Sequence, residues 1–138
     1  MTDLSPDTIE KLILKAHEMQ EMSYAPYSGF NVGAALLTVD NEIYGGCNIE
    51  NAAFSPTICA ERTAIFKAVS EGKRDFRAIA IVGGKKKEIG DLCFPCGVCR
   101  QVMAEFCDPD SFRIITRNRE GETVIHTLRE LLPESFGL

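Results

Sequence analysis

The sequence predicts an α/β fold, a three-layer α/β/α sandwich on a mixed five-stranded sheet. Apolar, β-branched runs alternate along the chain with segments of helical periodicity, which is the pattern of sheets covered by helices. Helices between the central strands imply crossovers and parallel central strands. A four-residue turn near the end is too short for a crossover, so the last two strands must be antiparallel. The 138 residues are expected to form one domain over 1–138, burying about two-thirds of the surface that the unfolded chain exposes.

Ser5 is placed to cap a first helix and Pro6 suits its first position, while Ile9, Leu12, Ile13, Ala16 and Met19 recur on one face that should pack on the sheet. Phe30 to Val39 reads as a strand, Asp40-Asn41 as a turn, and Glu42 to Cys47 as the return strand of a hairpin. Ala60 to Glu71 carries Ala64, Ile65, Ala68 and Val69 at helical spacing and stops at Gly72. Arg77 to Val82 is a short strand that Gly83-Gly84 should end. Lys85-Lys86-Lys87 reads as a solvated loop. A helix from about Gly97 to Phe106, a strand from Phe112 to Thr116, the turn Asn118 to Gly121 and a strand from Glu122 to His126 complete the pattern. His17 falls on the polar side of the first helix and His126 in the last strand; neither has metal spacing, so both read as surface or packing residues.

A net charge of −5 and a pI near 5.1 argue against a polyanion-binding surface, so nucleic acid is not an expected partner and a small neutral substrate is compatible. The N-terminus has acids among its first residues and lacks the apolar core of a signal peptide. No apolar run approaches the ~20 residues that a membrane span needs. A cytoplasmic location without membrane association is the expectation. Six cysteines could form three disulfides in a secreted chain, but a composition that is 45% hydrophobic does not need such staples, and reduced thiols are expected.

Those thiols carry the chemistry. Cys59-Ala60-Glu61 and Pro95-Cys96-Gly97-Val98-Cys99 offer three thiolates and a carboxylate. Three ligands leave one corner of a zinc tetrahedron open for water, whose pKa zinc lowers from 15.7 to roughly 7, and Glu61 is placed to move protons. Each half has a plainer reading. A single cysteine such as Cys59 usually fills space, and Cys96/Cys99 could be a redox pair or half of a structural zinc site. Cys93, Cys96 and Cys99 also open an iron-sulfur run, but the fourth position, 103, is Met. A structural four-thiolate zinc would have to recruit Cys47, Cys93 or Cys107. On spacing alone, catalytic zinc stands level with structural metal or redox chemistry.

Wider context separates them. Cys-Ala-Glu followed by Pro-Cys-x-x-Cys is the all-cysteine version of the zinc nucleobase deaminase signature. Tyr24-Ala25-Pro26-Tyr27-Ser28-Gly29-Phe30-Asn31-Val32-Gly33-Ala34-Ala35-Leu36, Gly46-Cys47-Asn48-Ile49-Glu50-Asn51-Ala52-Ala53-Phe54, the two cysteine motifs and Leu131-Leu132-Pro133-Glu134-Ser135-Phe136 follow in order. Through these stretches the chain resembles the small homotetrameric cytidine deaminases along nearly its whole length.

The resemblance implies one zinc per chain on Cys59, Cys96 and Cys99, with Glu61 as the proton carrier between water, the pyrimidine N3 and the departing amino group. It further implies that Phe30 lies against the base, that Ala60 offers backbone hydrogen bonds to the ring, and that Asn48 and Glu50 hold the ribose. Phe136 resembles a residue inserted into a neighbouring subunit's site, which implies a homotetramer with shared active sites. Three thiolates blunt zinc's Lewis acidity, and Arg62 is the expected offsetting cation, with Arg100 second. Read locally, Asn48 would be a turn residue, Glu50 a solvated one, Phe30 core and Tyr27 a loop or interface anchor. The implied activity is deamination of free cytidine, and of deoxycytidine, in pyrimidine salvage. A blasticidin S deaminase and a non-catalytic zinc or redox protein are the rivals. The first should depart from the Phe-x-Val-Gly and Asn-Ile-Glu-Asn stretches, and the second has no use for Glu61.

Overall fold

A computed structural model describes residues 4–138; Met1 to Asp3, where the reading of the N-terminus for targeting begins, lie outside the described residues. The elements follow as α1 (Pro6–Gln20), β1 (Phe30–Thr38), β2 (Ile43–Cys47), α2 (Ala60–Ser70), β3 (Phe76–Lys85), α3 (Gly97–Phe106), β4 (Arg113–Arg117), β5 (Thr123–Thr127) and α4 (Leu128–Leu131). The five strands form one mixed sheet in the order β2-β1-β3-β4-β5. Among the described strands only β3 and β4 pair in parallel; β1 is antiparallel to both β2 and β3. The expectation of parallel central strands therefore holds for one pair alone. The reason is connectivity: the β2–α2–β3 crossover passes over β1, and the hairpin has already reversed β1.

Alternation along the strands divides the core in two. Ala35, Leu37, Ala78, Ala80, Val82 and Ile115 face Leu12, Ile13 and Ala16 of α1. Ala34, Leu36, Ile79, Ile81 and Ile114 face Ala64, Ile65 and Ala68 of α2 and Met103 of α3. A period of two on strands buried on both faces gives this three-layer arrangement. Ser5 Oγ caps α1 by accepting from the Thr8 N–H at 3.1 Å, and Pro6 follows. Gln20, the last residue of α1, is fully buried, which the polar side chain did not announce.

Two features depart from the sequence reading. Strand β3 runs on through Gly83-Gly84 to Lys85, because β1 pairs with it there: Val32 with Gly83 and Asn31 with Gly84. The glycines mark a close approach and not a stop, since a Cβ on Gly84 would lie 2.1 Å from the Glu88 carbonyl oxygen. Helix α4 is a short turn closed by a capping box between Thr127 and Glu130. Among the described residues no helix is long and apolar enough to cross a membrane.

Candidate metal centre

Helices α2 and α3 lie on the same face of the sheet and begin side by side. Cys59 is the N-cap of α2 and Cys96 the N-cap of α3, both extended, and Cys99 sits in the first turn of α3. Their Sγ atoms all lie within 4.8 Å of one another, with Cys59 and Cys96 at 3.7 Å. A tetrahedron with zinc-sulfur bonds of ~2.3 Å has sulfur-sulfur edges of about 3.8 Å. The three thiols thus fit the face of a zinc tetrahedron. Two helix N-termini pointing at them supply the partial positive charge that favours thiolate.

Gly46 of β2 is what lets α2 begin there. A Cβ on it would sit 2.5 Å from both the Ala60 carbonyl oxygen and the Ala64 nitrogen. The Thr63 hydroxyl, 2.9 Å from the Cys47 carbonyl, ties the same turn to the sheet. At α3, Arg100 donates to the carbonyls of Pro95 (2.7 Å) and Leu131 (2.6 Å). That use corrects its reading as a second charge-balancing group, and equally as a partner for a surface carboxylate: Arg100 pins the Cys96 loop to α4.

Arg62 is placed differently. Its Nη2 donates to Cys59 Sγ at 3.4 Å, while its Nε is buried without a partner among the described residues. Burial opposes its charge, yet hydrogen bonds to Cys59 and Cys99 raise the guanidinium above its usual range. The hydrogen bond from Cys99 holds the Cys59 thiol down at about 5, against burial and with help from Arg62. The same hydrogen bond, with burial, pushes the Cys99 thiol up.

Glu61 lies one step into α2 and is 4% exposed. Burial raises its carboxyl to about 7, a backbone hydrogen bond opposing and the neighbouring Cys59 charge adding. A carboxyl poised near neutrality can give as well as take a proton.

Glu61, Cys59 and Cys96 line a cleft of about 340 Å3 together with Ala60, Phe30, Asn48 and Glu50, at the small end of ligand sites. Asn48 and Glu50, which local reading would leave as a turn residue and a solvated one, are held by their neighbours. Glu50 Oε1 accepts from the backbone N–H of Tyr27 (2.9 Å) and Ser28 (3.1 Å), and Oε2 from the Ser28 hydroxyl. Phe30 is 39% exposed, a cleft wall and not core. Tyr27 packs edge-on against Phe54 at 6.4 Å, as a loop anchor would.

Phe136 stands apart. It is 68% exposed and does not line the cleft of its own chain. Its carbonyl accepts from Gln101 Nε2 at 3.2 Å. Sequence reasoning missed Val32 and Phe94, which line the cleft. Phe94 is braced edge-on by His126 at 5.7 Å, and its place just before the Pro-Cys motif was the only available signal. Cys93 also lines the cleft without joining the three-thiol cluster, and burial pushes its thiol up to about 12. Cys47 and Cys107 are buried free thiols.

Comparison with known proteins agrees with this geometry. Residues 6–113 match the family pattern described as the cytidine and deoxycytidylate deaminase zinc-binding region. A cytidine deaminase of Sporosarcina psychrophila is 50% identical over 128 residues, spanning 93% of this chain and 90% of the relative. A blasticidin-S deaminase of Bacillus cereus is 37% identical over 110 residues, 77% of this chain and 76% of the relative. The crystal structure of a cytidine deaminase from Burkholderia pseudomallei superposes with a TM-score of 0.83 at 43% identity, covering 92% of this chain and 98% of that one.

Proposed function

The chain belongs to the family with the cytidine and deoxycytidylate deaminase zinc-binding region, and on that premise we propose that it hydrolyses cytidine, and deoxycytidine, to the uracil nucleoside and ammonia in pyrimidine salvage. The observation that carries the reading is three thiols at tetrahedral spacing beside a buried carboxyl in one small cleft. Cys59, Cys96 and Cys99 hold one zinc per chain. When bound, zinc supplies Lewis acidity and lowers the pKa of a water to roughly 7.

The chain's own residues do the rest. Phe30 packs the cytosine ring and the Ala60 backbone orients it, so that C4 faces the three thiols. Glu61 takes a proton from water and delivers it to N3, which makes C4 electrophilic as the water oxygen adds there. The same carboxyl then takes the remaining proton from the new C4 hydroxyl and passes it to the amino nitrogen, so that the C4=O bond forms as the C4–N bond breaks and ammonia leaves. Arg62, 3.4 Å from Cys59 Sγ, offsets thiolate charge that would otherwise weaken the metal. Asn48 and Glu50 hold the sugar. Residues 1–138 act as one domain in the cytoplasm, assembled as a homotetramer in which Phe136 closes a neighbour's cleft.

A loss of absorbance on conversion of cytidine to uridine, abolished by chelator and restored by zinc, is the expected result, with one zinc per chain by elemental analysis. Bound zinc without turnover of any cytosine nucleoside would overturn the reading in favour of a structural metal. The Bacillus cereus relative supplies a second reading, so blasticidin S belongs in the same assay. Turnover of blasticidin S in preference to cytidine would reassign the substrate.

A further inference from the structure

A chain of polar groups behind the cleft has no part in the chemistry above. Ser23 and Asn31 are both 8% exposed, buried polar side chains between α1, β1 and the loop after β3. Buried polar groups of this kind fix direction, because each donor must meet an acceptor.

The directions can be followed without ambiguity. The backbone N–H of Lys87 is only a donor and lies 3.1 Å from Asn31 Oδ1, so the Asn31 amide oxygen must face it. That turns Asn31 Nδ2 onto Ser23 Oγ at 3.0 Å. A hydroxyl that accepts there must send its own proton elsewhere, and Asn48 Oδ1 is 2.5 Å away. Asn48 Oδ1 also accepts from the Val32 N–H at 2.9 Å, which fills both lone pairs. Its Nδ2 donates to the Phe30 carbonyl at 2.8 Å. Among the described residues that is the only acceptor for Nδ2, so one N–H of Asn48 is left for the cleft it lines. Gln20, fully buried, clamps the start of the relay by donating to the carbonyls of Asn31 (3.0 Å) and Glu88 (2.8 Å).

We propose that Ser23 and Asn31 are positioning residues that orient the Asn48 amide, so that it meets the substrate's sugar as a single hydrogen-bond donor to a hydroxyl oxygen. Asn48 touches the sugar; Ser23 and Asn31 act through it. The proposal rests on the reading of Asn48 as a sugar contact, and the control below separates the two.

Asn31→Asp is the sharpest variant because it keeps the shape and reverses one direction. A carboxylate still accepts from Lys87 N–H but now draws the Ser23 proton to itself, leaving a Ser23 lone pair facing Asn48 Oδ1. Ser23→Ala removes the donor outright, and Ser23→Thr restores a hydroxyl. The dissociation constants of uridine and of 2′,3′-dideoxyuridine are measured by calorimetry on the zinc-loaded protein, alongside KM and kcat for cytidine.

For N31D and S23A the uridine dissociation constant and the cytidine KM should rise roughly five- to tenfold, the loss of one well-oriented hydrogen bond. Binding of the dideoxy probe and kcat should stay within about twofold of the parent, since only ground-state sugar binding is touched. S23T should recover most of the affinity, and the S23A/N31D double variant should lose no more than the worse single one. Equal weakening of both probes, or no weakening of uridine, in S23A and N31D would overturn the relay while Asn48→Ala still discriminates the probes. If Asn48→Ala weakens both probes alike, or the parent binds no uridine, the sugar reading fails and the relay falls with it.

Discussion

At the scale of single residues, Glu61 shows how environment makes an ordinary side chain chemical. An acidic residue in the first turn of a helix is usually there for the helix dipole. Here it is 4% exposed beside a thiol cluster, and burial lifts its carboxyl to about 7. Replacement by Gln keeps size and hydrogen-bonding shape but removes the proton carrier. Turnover of cytidine should fall by about 10² to 10⁴-fold, the span of general acid-base catalysis. Zinc content by elemental analysis should remain one per chain. Retention of most of the turnover would remove Glu61 from the mechanism. Asn31 and Ser23 show the reverse case: side chains with no chemistry of their own, whose donors and acceptors dictate what Asn48 can offer.

At the scale of elements, the site depends on how closely α2 approaches β2. Gly46→Ala would drive a methyl to 2.5 Å from the Ala60 carbonyl and the Ala64 nitrogen, backbone atoms that cannot turn aside. A cost of about 1–3 kcal/mol in urea unfolding is expected from such overpacking, with weaker zinc retention because the start of α2 carries Cys59. Unchanged stability would mean that the helix is free to shift. The hairpin provides a pH-dependent case. Lys73, just past α2, bridges Asp40 at 2.8 Å and also pairs with Glu42. The hydrogen bond from Lys73, then that from Thr38, lowers the Asp40 carboxyl from 3.8 to about 2. A folded pKa below the unfolded one stabilises the fold above pH 3.8, and that stabilisation is lost as pH falls through about 2. The gap in melting temperature between the parent and Asp40→Asn should therefore shrink as pH is lowered through that window. A gap independent of pH would show that the pair contributes nothing, as many exposed ion pairs do.

At the scale of the whole molecule, the chain carries apolar groups that its own core does not cover. Phe54 is 74% exposed and Phe136 68%. The proposed homotetramer gives them a place. Deleting Phe136 to Leu138 should weaken the assembly in sedimentation and raise KM roughly tenfold or more, the worth of one packed phenylalanine. Zinc content should not change, because Cys59, Cys96 and Cys99 belong to one chain. A fully active monomer, intact or truncated, would reduce Phe136 to an ordinary tail residue.

The sequence by itself determined the layers of the fold and the short motifs of the site. Helical and strand periodicities report burial locally, so α1, α2, α3 and four of the five strands are legible to within a residue or two. Cys59 with Glu61, and Cys96 with Cys99, are legible because a helix start needs its residues at fixed short spacing. Only the tertiary structure decided that two such starts, 37 positions apart, bring thiols to 3.7 Å. It alone revealed that Gly83-Gly84 continue a strand, since a glycine that ends an element and one that admits a neighbour read alike. The same holds for Gln20 reaching Glu88 across 68 positions, and for Arg100 serving α4 and not the thiolates. Hydrogen bonds have direction but leave no period in a sequence, whereas burial repeats with each turn or pleat.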